Sequence, residues 1–183
     1  DGGVYVSRDK GNTWGMIRNL PLAQFYHVSA DMKKPYYVYG GLQDNNSWYG
    51  PSEKSGGIRN EDWKKVGFGD GFYAYADMYN EDIVYWQWQG GQFAKANIKT
   101  GEFKSIKPFK AEDTDELRFN WNAPVIFSRD GKRMYVGAQY LYISEDQGET
   151  WKRISGDLTT DDPTRQKQET TGGLTLDNST AEN

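Results

Sequence analysis

Leu141-Tyr142-Ile143-Ser144-Glu145-Asp146-Gln147-Gly148-Glu149-Thr150-Trp151 repeats, at equal spacing, the stretch Val4-Tyr5-Val6-Ser7-Arg8-Asp9-Lys10-Gly11-Asn12-Thr13-Trp14. Both read as an alternating run followed by S-x-D-x-G-x-T-W. The alternating run predicts a half-buried strand. After it, Ser7 and Ser144 open a turn in which Asp9 and Asp146 can accept hydrogen bonds from backbone amides. Gly11 and Gly148 can supply a positive φ. Thr13 and Thr150 begin the return strand, where their hydroxyls can brace the turn. Trp14 and Trp151 then carry a large ring to bury against a neighbouring layer. Each copy is expected to be a self-locked β-hairpin turn, so these aspartates are read as structural and not as catalytic.

Weaker copies lie between. Gly57-Ile58-Arg59-Asn60-Glu61-Asp62-Trp63 places a Trp after a polar turn, and Asn97-Ile98-Lys99-Thr100-Gly101-Glu102-Phe103 places a Phe after a Thr-Gly turn. The aromatic anchors Trp14, Trp63, Phe103 and Trp151 are separated by 49, 40 and 48 residues. Each of the first three is followed by a strand, a polar turn and another strand: 26–31 then 36–40, 72–77 then 83–86, 124–128 then 134–137. A repeat of about 40 to 50 residues built from short strands is the mark of a propeller blade. The expected architecture is all-β. It is a β-propeller segment with the end of one blade and three further four-stranded antiparallel blades over residues 1–160, then a polar loop or tail at 161–183 that leads toward another blade. Asn45 to Ser55, rich in Asn, Ser, Gly and Pro, reads as a loop, and a short helical turn is expected after Asp162-Pro163.

The S-x-D-x-G-x-T-W boxes resemble those of Asp-box (BNR) repeat propellers. Gly41-Leu42-Gln43-Asp44-Asn45-Asn46-Ser47, Gly69-Asp70-Gly71-Phe72 and Arg118-Phe119-Asn120-Trp121-Asn122-Ala123-Pro124 are similar to the spacers of the bacterial sortilin-like branch, many of whose members are labelled glycosyl-hydrolase-like or xyloglucanase-like. The resemblance covers residues 1 to about 160. It implies a parent fold of roughly seven to ten blades. Seven blades of this length would need roughly 320 residues, against 183 here. The rest of a parent propeller, or a second copy of the chain, is therefore an expected partner. The resemblance also implies peptide or protein ligands on the sortilin side and polysaccharide on the hydrolase side.

Composition narrows the classes. Aromatic residues make up 15% of the chain, enough for burial to offset chain entropy and argue against disorder. A net charge of −4 makes nucleic acid an unexpected partner. No apolar run approaches the roughly 20 residues of a membrane helix. The absence of Cys removes disulfides and thiolate zinc sites, and a single histidine, His27, removes a multi-His metal centre. No spacing of aspartates matches a calcium loop. No metal and no cofactor is expected. The expected location is outside the cytoplasm: secreted, periplasmic or on the cell surface.

In a propeller the innermost strands line the channel and their flanking loops form the ligand face. Three clusters flank predicted inner strands: Gln43, Asp44 and Asn45; Asp70; and Arg118, Asn120, Trp121 and Asn122. Their amides and carboxylates can bond hydroxyl or peptide groups, Arg118 can pair with a carboxylate, and Trp48, Tyr49 and Trp121 offer flat faces. Two function classes follow. The first is a binding module for a peptide, protein or glycan at the channel face. The second is a glycoside hydrolase, for which Asp44 and Asp70 are the nominated pair of carboxylates, roughly 5 to 10 Å apart across the scissile bond. A carboxylate consumed by turn amides favours binding. His27, set in a strand pattern, is read as structural.

Overall fold

The computed structural model describes residues 3–18, 23–109 and 116–162. Among these, strands β1 (Tyr5–Val6) and β2 (Gly15–Met16) form a two-stranded antiparallel hairpin. Three four-stranded antiparallel meanders follow. The second sheet is β3 (Phe25–Ala30), β4 (Tyr37–Leu42), β5 (Ser47–Pro51) and β6 (Lys64–Lys65), with one 3-10 turn at Asn60–Asp62 before β6. The third is β7 (Gly71–Ala76), β8 (Ile83–Trp88), β9 (Gln92–Asn97) and β10 (Phe103–Ser105). The fourth is β11 (Val125–Phe127), β12 (Met134–Gly137), β13 (Leu141–Ser144) and β14 (Lys152–Arg153). The chain is a β-propeller segment. Most of the tail expected at 161–183, with the helical turn after Pro163, lies outside the described residues.

The repeat is visible in the hydrogen bonds as well as in the sequence. Three residues after each aromatic anchor stands a β-branched residue: Ile17, Val66, Ile106 and Ile154. Each donates its amide at 2.8 Å to a carbonyl one strand back, on Val4, Ser47, Phe93 and Leu141 respectively. The four anchors therefore occupy one structural position.

The third sheet is buried on both faces, and the two-residue period of a strand decides which residue meets which neighbour. Val84 and Trp86 of β8 pack with Tyr39 of the second sheet. Tyr85, between them in sequence, packs with Val125, Met134 and Val136 of the fourth. This is why β8 reads as Ile-Val-Tyr-Trp-Gln-Trp with no polar alternation until Gln87. That glutamine is itself fully buried and donates its Nε2 at 2.7 Å to the carbonyl of Ala123 on the neighbouring blade. Trp86 and Trp88 share one face and stack at 4.5 Å between ring centres. The inner strands are also bonded sheet to sheet. Ser29 donates to the Ala74 carbonyl at 2.6 Å, and Tyr75 to the Val125 carbonyl at 3.2 Å.

Both box turns carry the same bonds. In the first, Thr13 donates its amide at 2.9 Å and its hydroxyl at 2.7 Å to the Asp9 carboxylate, and Gly11 donates its amide to Ser7 Oγ at 2.6 Å. In the second, Thr150 donates the same pair to Asp146 at 2.9 and 2.5 Å, and Gly148 donates to Ser144 Oγ at 2.8 Å. Gly11 and Gly148 sit at φ values of 92° and 85°, which a side chain would strain. The threonine hydroxyl and amide, with help from the serine, hold both carboxyls down at about 2.

Two expectations are corrected. Trp14 is 64% exposed, where burial was expected. It belongs to a hairpin with no further sheet seated on it among the described residues, whereas Trp151 is partly buried on the third sheet and donates its indole N–H to the Ile106 carbonyl at 2.8 Å. The stretch Asn45 to Ser55 is not a loop throughout. Only its first part turns, and Ser47–Pro51 is strand β5, paired with β4 from Gly41↔Ser47 to Tyr37↔Pro51. Small and polar residues there serve close packing. The Gly50 position is covered by the Trp63 ring, and Pro51 ends the strand.

Candidate functional site at the inner-strand loops

Three loops meet at one end of the inner strands: the β4–β5 turn, the segment before β7 and the segment before β11. Their approach depends on glycine. A Cβ on Gly41 would lie 2.1 Å from the Gly71 carbonyl carbon, and one on Gly71 would lie 2.4 Å from the Asn46 carbonyl oxygen. Both obstacles are backbone, so neither position admits a side chain without moving a blade. Asp44 and Asn46 take φ values of 59° and 71° to turn the chain within so short a connection, a conformation that Asn and Asp adopt more readily than other residues with side chains.

Asp70 is the centre of the arrangement. Its Oδ1 accepts the Asp44 amide at 2.6 Å and its Oδ2 accepts the Trp121 indole N–H at 3.2 Å. Its own amide donates to Gln89 Oε1 at 2.9 Å. The Gly90 amide donates to the Trp121 carbonyl at 3.0 Å, and the Asn46 amide to the Gly69 carbonyl at 3.0 Å. One carboxylate thus joins three successive blades. Burial first, and then the negative charges of Asp70 and Asp44, push the Tyr26 hydroxyl pKa up, so this phenol lies in the field of both acids.

Beside it is a second contact set. The His27 ring stacks on Tyr73 with centres 3.8 Å apart and planes 9° from parallel. Its Nε2 lies 3.2 Å from Asn122 Oδ1 and 3.1 Å from Asn122 Nδ2, so the amide's orientation is tied to the imidazole tautomer. The Asn122 backbone N–H donates to Asn120 Oδ1 at 2.8 Å. A cleft of about 450 Å³ opens next to this pair, with Asn120, Asn122 and Thr159 as its polar lining and Pro124, Ala138 and Leu158 as its apolar lining. A second cleft, of about 390 Å³, lies between β10 and the segment before β11. There Lys107 donates to the Gly90 carbonyl at 3.0 Å and stands 4.5 Å over the Phe119 ring, and burial pushes its pKa down.

The structure brings Asp44, Asp70 and Trp121 into one network and sets Asn120 and Asn122 beside it. Gln43 and Asn45 lie on the same turn, where Gln43 donates its amide to the Gln24 carbonyl and Asn45 Nδ2 donates to the Gln43 carbonyl. Trp48 is held by its indole N–H on the Asn45 carbonyl at 2.6 Å. Arg118 is differently committed. One Nη donates to Asp157 at 2.8 Å and to Thr159 at 2.7 Å, while the other pairs with Asp161 at 2.7 Å. The guanidinium binds the segment before β11 to the segment after β14, within one blade. These internal partners are the ones the structure gives the guanidinium.

Tyr26, His27 and Tyr73 stand beside the nominated clusters without having been nominated for the ligand face. A common position is visible in the sequence, because β3 and β7 both end in Ala followed by Asp, and His27 and Tyr73 both stand four residues before that aspartate. The shared position puts both on the same face of successive inner strands. Among the described residues no three His, Asp or Glu side chains are grouped closely enough to hold a metal ion, and no helix is long and apolar enough to cross a membrane.

No family model and no curated protein sequence matches the chain. Solved structures do. The chain is similar to AztD from Citrobacter koseri at 11% identity and a TM-score of 0.46, over 78% of this chain and 38% of that one. It is similar to a GH74 xyloglucanase from Xanthomonas campestris at 17% identity and a TM-score of 0.48, over 87% and 28%. It is similar to an auxiliary nutrient binding protein from Bacteroides thetaiotaomicron at 13% identity and a TM-score of 0.45, over 66% and 29%. The chain spans less than two fifths of each of these structures.

Proposed function

We propose that this chain is a segment of an exported Asp-box propeller of the sortilin-like type, and that its inner-strand loops bind an uncharged polar ligand, a glycan or an extended peptide backbone. The observation that carries this reading is the state of Asp70. Both of its oxygens accept internal N–H donors. A glycosidase carboxyl must aim an oxygen at the scissile bond, with the second carboxyl across it. Asp70 instead turns both oxygens to N–H groups of the two neighbouring blades and ties three blades together. Arg118, the nearest candidate for a ligand carboxylate, is spent on Asp157 and Asp161. What is left facing the 450 Å³ cleft is amide, hydroxyl and apolar surface, a lining suited to neutral hydrogen-bonding ligands.

The test is a titration of the intact protein with panels of neutral oligosaccharides and of peptides, followed by isothermal calorimetry. Binding should weaken at least tenfold in Asn122→Ala while the near-ultraviolet circular dichroism is kept. Release of new reducing ends from a polysaccharide, abolished by Asp44→Asn and by Asp70→Asn in folded protein, would replace binding with hydrolysis.

A further inference from the structure

His27 is the one histidine of the chain, and its ring joins three sheets. It stands on β3, stacks on Tyr73 of β7 with centres 3.8 Å apart, and meets Asn122 of the segment before β11. Its Nε2 lies 3.2 Å from Asn122 Oδ1 and 3.1 Å from Asn122 Nδ2. The two distances are nearly equal, so a small rotation of the amide brings either end into line with the ring nitrogen. Among the described residues the Asn122 side chain has no other hydrogen-bond partner, while its backbone is fixed by the bond to Asn120 Oδ1. Asn122 also lines the 450 Å³ cleft. The amide end that His27 does not take is left for a ligand there.

Which end that is follows from the proton count of the ring. Nε2 of a neutral imidazole either carries a hydrogen or offers a lone pair. It can therefore donate to Oδ1 or accept from Nδ2, and both orientations of the amide are satisfied. A protonated imidazole is a donor at both nitrogens. Only Oδ1 can then face it, and Nδ2 is turned outward. The groups around the ring leave this choice to His27 itself. β7 faces it with Tyr73, whose hydroxyl burial pushes up, so the phenol stays neutral. β4 faces it with Gly41, which offers backbone alone. The residue before it is Tyr26, also pushed up, by burial and then by the charges of Asp70 and Asp44 on the adjoining loops.

We infer that His27 is a positioning residue that sets, through its protonation, which hydrogen-bonding end Asn122 turns to the cleft. Imidazoles titrate between about pH 5 and pH 8. At the alkaline end of that window the cleft offers either an acceptor or a donor at Asn122. At the acid end it offers a donor only, which favours ligands with carbonyl or ether oxygens and disfavours an N–H or O–H at that point. The effect on ligands rests on the function proposed above; the coupled turning of the amide does not.

Nuclear magnetic resonance of the intact protein from pH 8 to pH 5 tests it. The single imidazole gives one pair of ring nitrogen signals, and the Asn122 side-chain signals are those lost in Asn122→Ala. The Asn122 signals should shift with the same midpoint as the ring. In His27→Gln the amide keeps a hydrogen-bonding contact but gains no proton, so the Asn122 signals should stay flat over the window. Dimethylacetamide, which accepts hydrogen bonds and donates none, should bind roughly threefold more tightly at pH 5 than at pH 8, and equally at both in His27→Gln. Asn122 signals that stay still while the ring titrates overturn the inference, as does an unchanged shift in His27→Gln. The wild-type titration decides alone if His27→Gln loses its near-ultraviolet circular dichroism. Coupled titration without binding of the probe supports the inference and counts against the ligand reading. Binding of the probe without coupled titration does the reverse.

Discussion

The two box turns share five residues at equal spacing and the same set of carboxylate bonds, yet one carries an exposed Trp and the other a seated one. The lock within the turn is therefore local. It needs serine, aspartate, glycine and threonine within eight residues and nothing beyond them. The aromatic at the end of the motif is different, because its contribution depends on whether a neighbouring blade presents an isoleucine and a free carbonyl. A repeat can hold its shape before its neighbour arrives, and the neighbour then adds stability through one ring.

The contrast predicts its largest effect at the aromatic. Trp151→Ala should destabilise the protein by about 3 kcal/mol or more, through the lost ring and the unpaired Ile106 carbonyl. Trp14→Ala should stay within about 0.5 kcal/mol in a dilute single chain. Paired urea transitions measure the difference, and equal losses from the two variants would break the distinction. The partner residues sharpen it. Ile106→Ala should cost about 2 to 4 kcal/mol, and Ile154→Ala about 0.5 kcal/mol or less, although both make the same backbone bond. A third effect is confined to the turns. Asp9→Asn and Asp146→Asn should both speed amide hydrogen exchange at Thr13 and Thr150 respectively, by similar factors, because each amide bonds the replaced carboxylate at 2.9 Å.

What could be read from the residues follows the same division between local and distant. The box bonds, the strand alternation and the anchor spacing are local, and they were legible. The inner-strand loops were legible as a region because propeller strands run in a fixed order. The stack of His27 on Tyr73 and its contact with Asn122 were not, since the last joins positions 95 apart in sequence. Asp70 could be nominated for an inner-strand loop from the sequence, but the engagement of both its oxygens comes from Asp44 and Trp121, 26 and 51 residues away. The ion pairs of Arg118 with Asp157 and Asp161 were not legible, because the first spans 39 residues and both acids lie in a stretch without periodicity. Glycine and asparagine around β5 signal turns, while its strand character comes from pairing with β4 and cover by Trp63.

The smallest effect is also the one that most cleanly separates the turn from its setting, and it is a pH dependence. Asp9 and Asp146 are both held down at about 2 by the threonine hydroxyl and amide that they accept. An unfolded aspartate titrates near 3.9. A carboxylate whose folded pKa is depressed contributes stability above its unfolded pKa and loses it as pH falls through the folded one. The turn locks should therefore be fully present at pH 5 and fade between about pH 4 and pH 2. Because the lock is local, the two carboxyl resonances should titrate with the same midpoint although one box is seated on a blade and the other is exposed. A midpoint for Asp146 well below that of Asp9 would mean that the blade contact through Trp151 and Glu149 reinforces the turn, and the lock would then no longer be independent of its neighbour.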